Sequence, residues 1–239
     1  MLPQPITDPY NYGNQFARNF DYLGQEFRVC WSGDWRKPPN LADFPHVENA
    51  TVTPISHTPN VDALWRTSHA IAHGSNAHLR LLKDCTDNFP ICKIASNDQQ
   101  KSLIYDEFCI LQKLLRSYPE APVVQICQEP LEDDDGIFGY RMEELSRINF
   151  NEFPGYYGEI QNAVQIMHKT GVIHNDLSIS NIMLNAQHRI TLIDFGRAGY
   201  VGERIPVEKE RAMRPLGKCI YSRSLDHQAL LELHSLIQH

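Results

Sequence analysis

The sequence predicts an α+β fold, and three observations carry that expectation. Short apolar runs broken by turn residues fill the region from Leu64 to Ala95, two longer stretches show helical periodicity, and very short apolar strands frame a polar loop after Gly171. With 42% hydrophobic residues among 239, the chain can bury a sizeable core, as one large domain or as two small lobes sharing a cleft.

Residues 1–60 are rich in proline, asparagine and aromatics and hold no sustained period of 3.6 or 2, so they are expected to be an irregular extension. Its aromatics (Phe20, Tyr22, Phe27, Trp31, Trp35, Phe44) are too many for a free linker, and some are expected to pack on the domain that follows. Three antiparallel strands are expected around Ala70–Ser75, His78–Lys83 and Phe89–Ala95. Leu103 to Leu115 reads as an amphipathic helix that Ser117-Tyr118-Pro119 ends. Val123–Ile126 and Ile137–Leu145 read as strands, and the acidic turn from Glu132 to Gly136 between them reads as a solvated hairpin tip rather than a metal loop. Tyr157 to Lys169 is a second helix, with Gly171 as its stop. Ser224 to Ile237 is a third, with Leu225, Leu230, Leu233 and Leu236 inward and Asp226 either capping it or anchoring backbone elsewhere.

A net charge of −7 and a pI near 5.9 argue against general nucleic-acid binding. Six cysteines lie scattered without a close pair and read as thiols of a reducing compartment, and none of the eleven histidines has a zinc-binding spacing. The amino end lacks the pattern of a signal peptide, and no stretch approaches the roughly 20 apolar residues that cross a bilayer, so a soluble protein of cytoplasm or nucleus is expected.

The chemistry concentrates between Gly171 and Gly196. Val172-Ile173, Ile182–Leu184 and Ile190–Ile193 are expected to be short buried strands, which leaves Asp176, Asn181 and Asp194 at loop positions near their ends. Three oxygen-bearing side chains able to hold a metal would converge there.

His174-x-Asp176-Leu177-x-x-x-Asn181, followed by Asp194-Phe195-Gly196, resembles the catalytic and magnesium loops of the eukaryotic protein kinase superfamily. The resemblance implies a two-lobe fold: an N-lobe of about 61–145 with an antiparallel sheet, and a reduced, mainly helical C-lobe of about 146–239. It implies ATP and Mg2+ as cofactors, Asp176 as the group that accepts or orients the proton of the acceptor hydroxyl, and Asn181 and Asp194 as magnesium ligands. It further implies Lys93 as the phosphate-binding lysine with Glu107 as its helix partner and Asp106 as the rival. Gly74 then stands in a reduced glycine loop, offering backbone amides with Ser75, and Tyr140–Leu145 becomes a hinge in which Glu143 and Leu145 offer backbone hydrogen bonds to adenine.

The sequence departs from that pattern in several places. Asn175 replaces the usual arginine, so activation by loop phosphorylation is less expected. Ser178 replaces the lysine that helps neutralise the γ-phosphate, one glycine stands where three are usual, and no Ala-Pro-Glu follows Gly196. Few residues follow Gly196, too few for a full helical lobe; this economy is similar to that of the small kinase of the KEOPS complex and of Rio-type kinases. The function these readings imply is a serine/threonine protein kinase or kinase-type ATPase acting on a protein hydroxyl, with a protein complex as a further partner. A small-molecule kinase of the aminoglycoside or choline type and a pseudokinase scaffold are the alternatives.

Overall fold

The computed structural model describes residues 2–74, 77–97, 100–209 and 220–237. They form two compact units, one of Met1–Ile104 with Glu129–Arg141, the other of Tyr105–Gln128 with Met142–His239.

The first unit corrects the expectation for the amino end. Strands β1 (Gln4–Pro5), β2 (Tyr10–Tyr12), β3 (Gln15–Tyr22), β4 (Gln25–Trp31) and β5 (Ala50–Pro54) make one antiparallel sheet in the order β1-β3-β4-β5, with β2 also on β3. Its main hairpin turns on Leu23 and Gly24, at φ 53° and 78°, the paired left-handed conformation that matches strand twist. Leu-Gly is a poor advertisement for such a turn, and Asn19, Phe20 and Asp21 are buried in succession, so the alternation that marks a half-buried strand is lost. The aromatics mostly pack on one another: Phe20 and Phe44 form a cluster with Tyr22 and Phe27, while Trp35 is exposed.

Helix α1 (Pro59–Thr67) follows, with proline in its first turn, and supplies Trp65 to the core of this unit beside Ile6, Val61, Cys92 and Phe138. The second sheet holds β6 (Ser68–His73), β7 (Ala77–Leu82), β8 (Ile91–Ala95), β9 (Ile126–Asp133) and β10 (Gly136–Met142) in the order β6-β7-β8-β10-β9. The first three lie within a residue or two of the expected strands along most of their length and pair antiparallel. The acidic tip is the β9–β10 turn, and among the described residues no cluster of three or more His, Cys, Asp or Glu could hold a metal. Fully buried Arg80 ties the two sheets together: it pairs with Asp21 at 2.7 Å, donates to Ser68 Oγ at 2.8 Å and lies 3.8 Å over the Trp65 ring. Its Nη1 is buried without a hydrogen-bond partner among the described residues, and a buried ion pair of this kind fixes register more than it adds net stability.

The second unit contains most of α2 (Lys101–Ser117), then β11 (Ser146–Arg147), α3 (Phe153–Lys169), β12 (Val172–Ile173), β13 (Ile182–Leu184), β14 (Ile190–Leu192), β15 (Gly199–Tyr200) and α4 (Arg223–Ile237). Ile104, Phe108, Leu111 and Leu115 make the buried stripe of α2, and Ile160, Val164 and Met167 that of α3. Residues 123–125, expected to be a strand, make only an isolated bridge from Val123 to Leu192, and pairing proper begins at Ile126. In α4, Leu230 and Leu233 are buried as expected but Leu236 is 56% exposed and Ile237 takes its place inward. Five cysteines, Cys30, Cys85, Cys92, Cys109 and Cys127, are free thiols, and burial pushes that of Cys92 up to about 12. No described helix is long and apolar enough to cross a membrane.

Candidate active site

The loop from His174 to Asn181 leaves β12 and enters β13, and both strands are anchored: β12 pairs with β15, and β13 with β14. Asp226, fully buried in the first turn of α4, accepts the backbone N–H of His174 at 2.9 Å and of Asn175 at 2.8 Å. Its Oδ2 also lies 2.8 Å from His168 Nε2 at the end of α3. Of the two roles open to Asp226, anchoring backbone is the one it performs. The His174 ring accepts from Asp176 N at Nδ1, which leaves Nε2 as the donor to Ile193 O at 2.8 Å. That ring packs on Phe195, 4.7 Å between centroids.

Asp176 emerges from this scaffold half-buried. Its carbonyl accepts Asn181 Nδ2 at 2.8 Å, so the amide of Asn181 is oriented with Oδ1 as its remaining acceptor. Ile193 N donates to Asn181 O at 3.0 Å, which brings Asp194 alongside. Asp194 is exposed and left-handed at φ 65°, ψ 67°, a conformation that costs a non-glycine residue free energy and re-aims its carboxylate. An amide oxygen just before β13 and a carboxylate just after β14 are hard donors, and Mg2+ takes one or two such protein ligands and completes its shell with phosphate oxygens and water, so the donor set fits that ion. Glu107, buried in α2, accepts the N–H of Phe195 at 2.8 Å. The second unit therefore brings Glu107, Asp176, Asn181 and Asp194 to one group of loops.

Glu143 and Leu145 follow β10, both half-buried. Glu143 donates its N–H to Gln125 O at 3.0 Å and accepts Gln125 N on Oε1 at 2.8 Å. Burial raises the pKa of its carboxyl, and the Gln125 bond opposes that. Lys93 and Gly74 belong to the first unit: Lys93 is half-buried in β8 opposite Leu79, and Gly74 follows β6, its N–H bonded to Ala77 O at 2.8 Å. Ser75 lies outside the described residues.

The family model of the protein kinase domain matches residues 95–214, just over half of the chain. The chain belongs to the protein kinase domain family. The matched span includes Glu107, Glu143, Leu145, Asp176, Asn181 and Asp194 and begins just after Lys93. Among curated kinases, a probable serine/threonine-protein kinase of Dictyostelium discoideum is 34% identical over 114 residues, covering 44% of this chain and 18% of its own. Mitogen-activated protein kinase spk1 of Schizosaccharomyces pombe is 35% identical over 82 residues, 34% of this chain and 21% of its own. Human hormonally up-regulated neu tumor-associated kinase is 35% identical over 63 residues, 26% of this chain and 9% of its own. The matches thus span about a tenth to a fifth of these relatives' lengths.

Within this kinase domain several neighbours of the loops escaped the sequence reading. Asp106 pairs with Lys209, Nζ to Oδ2 at 2.7 Å, and the Lys209 side chain is buried. The carbonyl of Lys209 accepts Asn175 Nδ2 and Arg197 Nη1, both at 3.4 Å. Arg197 follows Asp194-Phe195-Gly196 directly, and its Nε lies 3.8 Å from Asp176 Oδ2. Tyr221 donates its hydroxyl to Arg197 O at 3.1 Å, and burial drives the pKa of that phenol up. Only adjacency to the magnesium-loop motif could have flagged Arg197; nothing local marks Lys209 or Tyr221.

Proposed function

We propose that this kinase domain is an ATP- and Mg2+-dependent phosphotransferase, acting on a serine or threonine hydroxyl of a protein. The observation that carries the reading is the loop pinned by Asp226, from which the Asp176 carboxylate projects while Asn181 and Asp194 stand alongside. Asp176 would accept or orient the proton of the acceptor hydroxyl; the oxygen forms its bond to the γ-phosphorus as the bond to the β-phosphate oxygen breaks and ADP leaves. Magnesium bound by Asn181 and Asp194 would supply charge neutralisation on the phosphate oxygens. Lys93 would serve the phosphates with its ammonium and Gly74 with a backbone amide, and the Glu143 carbonyl and the Leu145 peptide would serve adenine.

The test is a titration of purified protein with ATP and magnesium, following thermal shift and γ-phosphate transfer to mixed protein acceptors and to small alcohols. Transfer to protein that vanishes in Asp176→Ala and Asp194→Ala, with nucleotide stabilisation weakened mainly by Asp194→Ala, is the expected result. Transfer to small alcohols alone would replace the protein acceptor, and stabilisation without turnover would make the chain a binding scaffold.

A further inference from the structure

We propose that Arg197 is the catalytic cation of this site, standing in for the charge that Ser178 lacks. The assignment rests on the phosphotransferase reading above. Ser178, two residues after Asp176, is uncharged and spends its hydroxyl on Ser180 Oγ at 2.8 Å. Arg197 reaches the same place from the other loop, with Nε 3.8 Å from Asp176 Oδ2 and a side chain 33% exposed. That distance is too long for a closed hydrogen bond and short enough that a phosphate oxygen beside the Asp176 carboxylate falls within reach of the guanidinium.

The residue is held for this position. Its Nη1 donates to Lys209 O, and its carbonyl accepts both Asn175 Nδ2 at 3.1 Å and Tyr221 Oη at 3.1 Å. Asn175, where an arginine is usual, is the residue whose short amide fastens Arg197 from below; the second departure in the loop therefore supports the replacement required by the first. A guanidinium keeps its charge at all physiological pH and offers five N–H groups in a fixed fork, so it can retain the Lys209 carbonyl and still meet phosphate oxygens. Phosphoryl transfer spreads negative charge over equatorial oxygens close to the Asp176 carboxylate, and a fixed cation there offsets both charges without reorganisation.

The experiment compares wild type, Arg197→Met, Arg197→Lys and the double variant Arg197→Met/Ser178→Lys for steady-state transfer. Thermal stabilisation by a non-hydrolysable ATP analogue against ADP is measured in parallel. Arg197→Met is expected to lower kcat by about 10- to 100-fold with the KM for ATP changed much less, and to reduce the analogue's stabilisation to that of ADP. Charge restored at either position, by Arg197→Lys or by Ser178→Lys in the Met background, is expected to recover most of the loss. Arg197→Met keeping wild-type kcat, or no recovery from either lysine, overturns the assignment; a simple folding defect would fall in the second class. Wild-type protein without turnover would refute the phosphotransferase reading instead, and the analogue-against-ADP comparison would then decide only whether Arg197 meets the γ-phosphate.

Discussion

Asp226 and Asn175 are 51 residues apart in sequence, yet the buried carboxylate of one accepts the backbone N–H of the other at 2.8 Å. The same carboxylate takes His174 N and faces His168, so one residue of α4 holds two buried backbone amides and a partly buried imidazole. A loop carrying Asp176 owes its shape to a side chain far along the chain.

Asp226→Ala should therefore cost about 3 kcal/mol or more, because it strands two buried amides and a histidine. Urea denaturation reads the stability, and the transfer assay should lose turnover before the fold is lost. Asp226→Asn, which keeps one acceptor oxygen, should fall between the two.

His78 should make the protein sensitive to acid. It is buried against Trp65, with neither ring nitrogen hydrogen-bonded, and burial chiefly, with Arg80 nearby, lowers its pKa from 6.5 to about 3. The unfolded chain binds this proton below 6.5 and the folded chain does not, so stability is intact above that pH and declines from there down to about 3. The slope contributed is at most about 1.4 kcal/mol per pH unit. His78→Phe should remove it without loss at pH 7.5, measured as denaturant midpoints across pH.

Lys209 and Asp106 should make loop phosphorylation dispensable. The buried ammonium joins α2 to the segment after β15 by its own charge, a link that in other settings a phosphate provides. Phosphatase treatment should leave turnover unchanged. Lys209→Met and Asp106→Asn should each reduce it by roughly tenfold, and the double variant should be no worse than either, as expected of one shared interaction.

Two glycines should respond in opposite directions to alanine. A Cβ on Gly139 in β10 would lie 2.6 Å from the Lys93 carbonyl, so Gly139→Ala should cost about 1–3 kcal/mol and displace β8. Gly158, exposed in α3, has nothing within 4 Å of that position, and Gly158→Ala should gain about 0.5–1 kcal/mol. Thermal melts of both variants check the pair.

What sequence alone determined about this protein is local in origin. Ile160, Val164 and Met167 repeat at the helical period, so α3 was legible; the apolar pairs and triplets around Asp176, Asn181 and Asp194 were legible as β12, β13 and β14 because strand and loop chemistry alternate there within a few residues. The order of those motifs likewise led to the family. The amino-terminal sheet was not legible, because β3 buries Asn19 and Asp21 against Glu26 and Arg80, partners that only the folded arrangement provides, and its turn uses Leu23 at positive φ. Whether Asp226 capped or anchored, which helix acid met Lys209, and what stood beside Asp176 in place of a lysine at 178 were likewise decided by tertiary structure. Each is a hydrogen bond or ion pair between residues 21 to 103 positions apart, and the side chain's chemistry is the same whichever partner the fold brings to it.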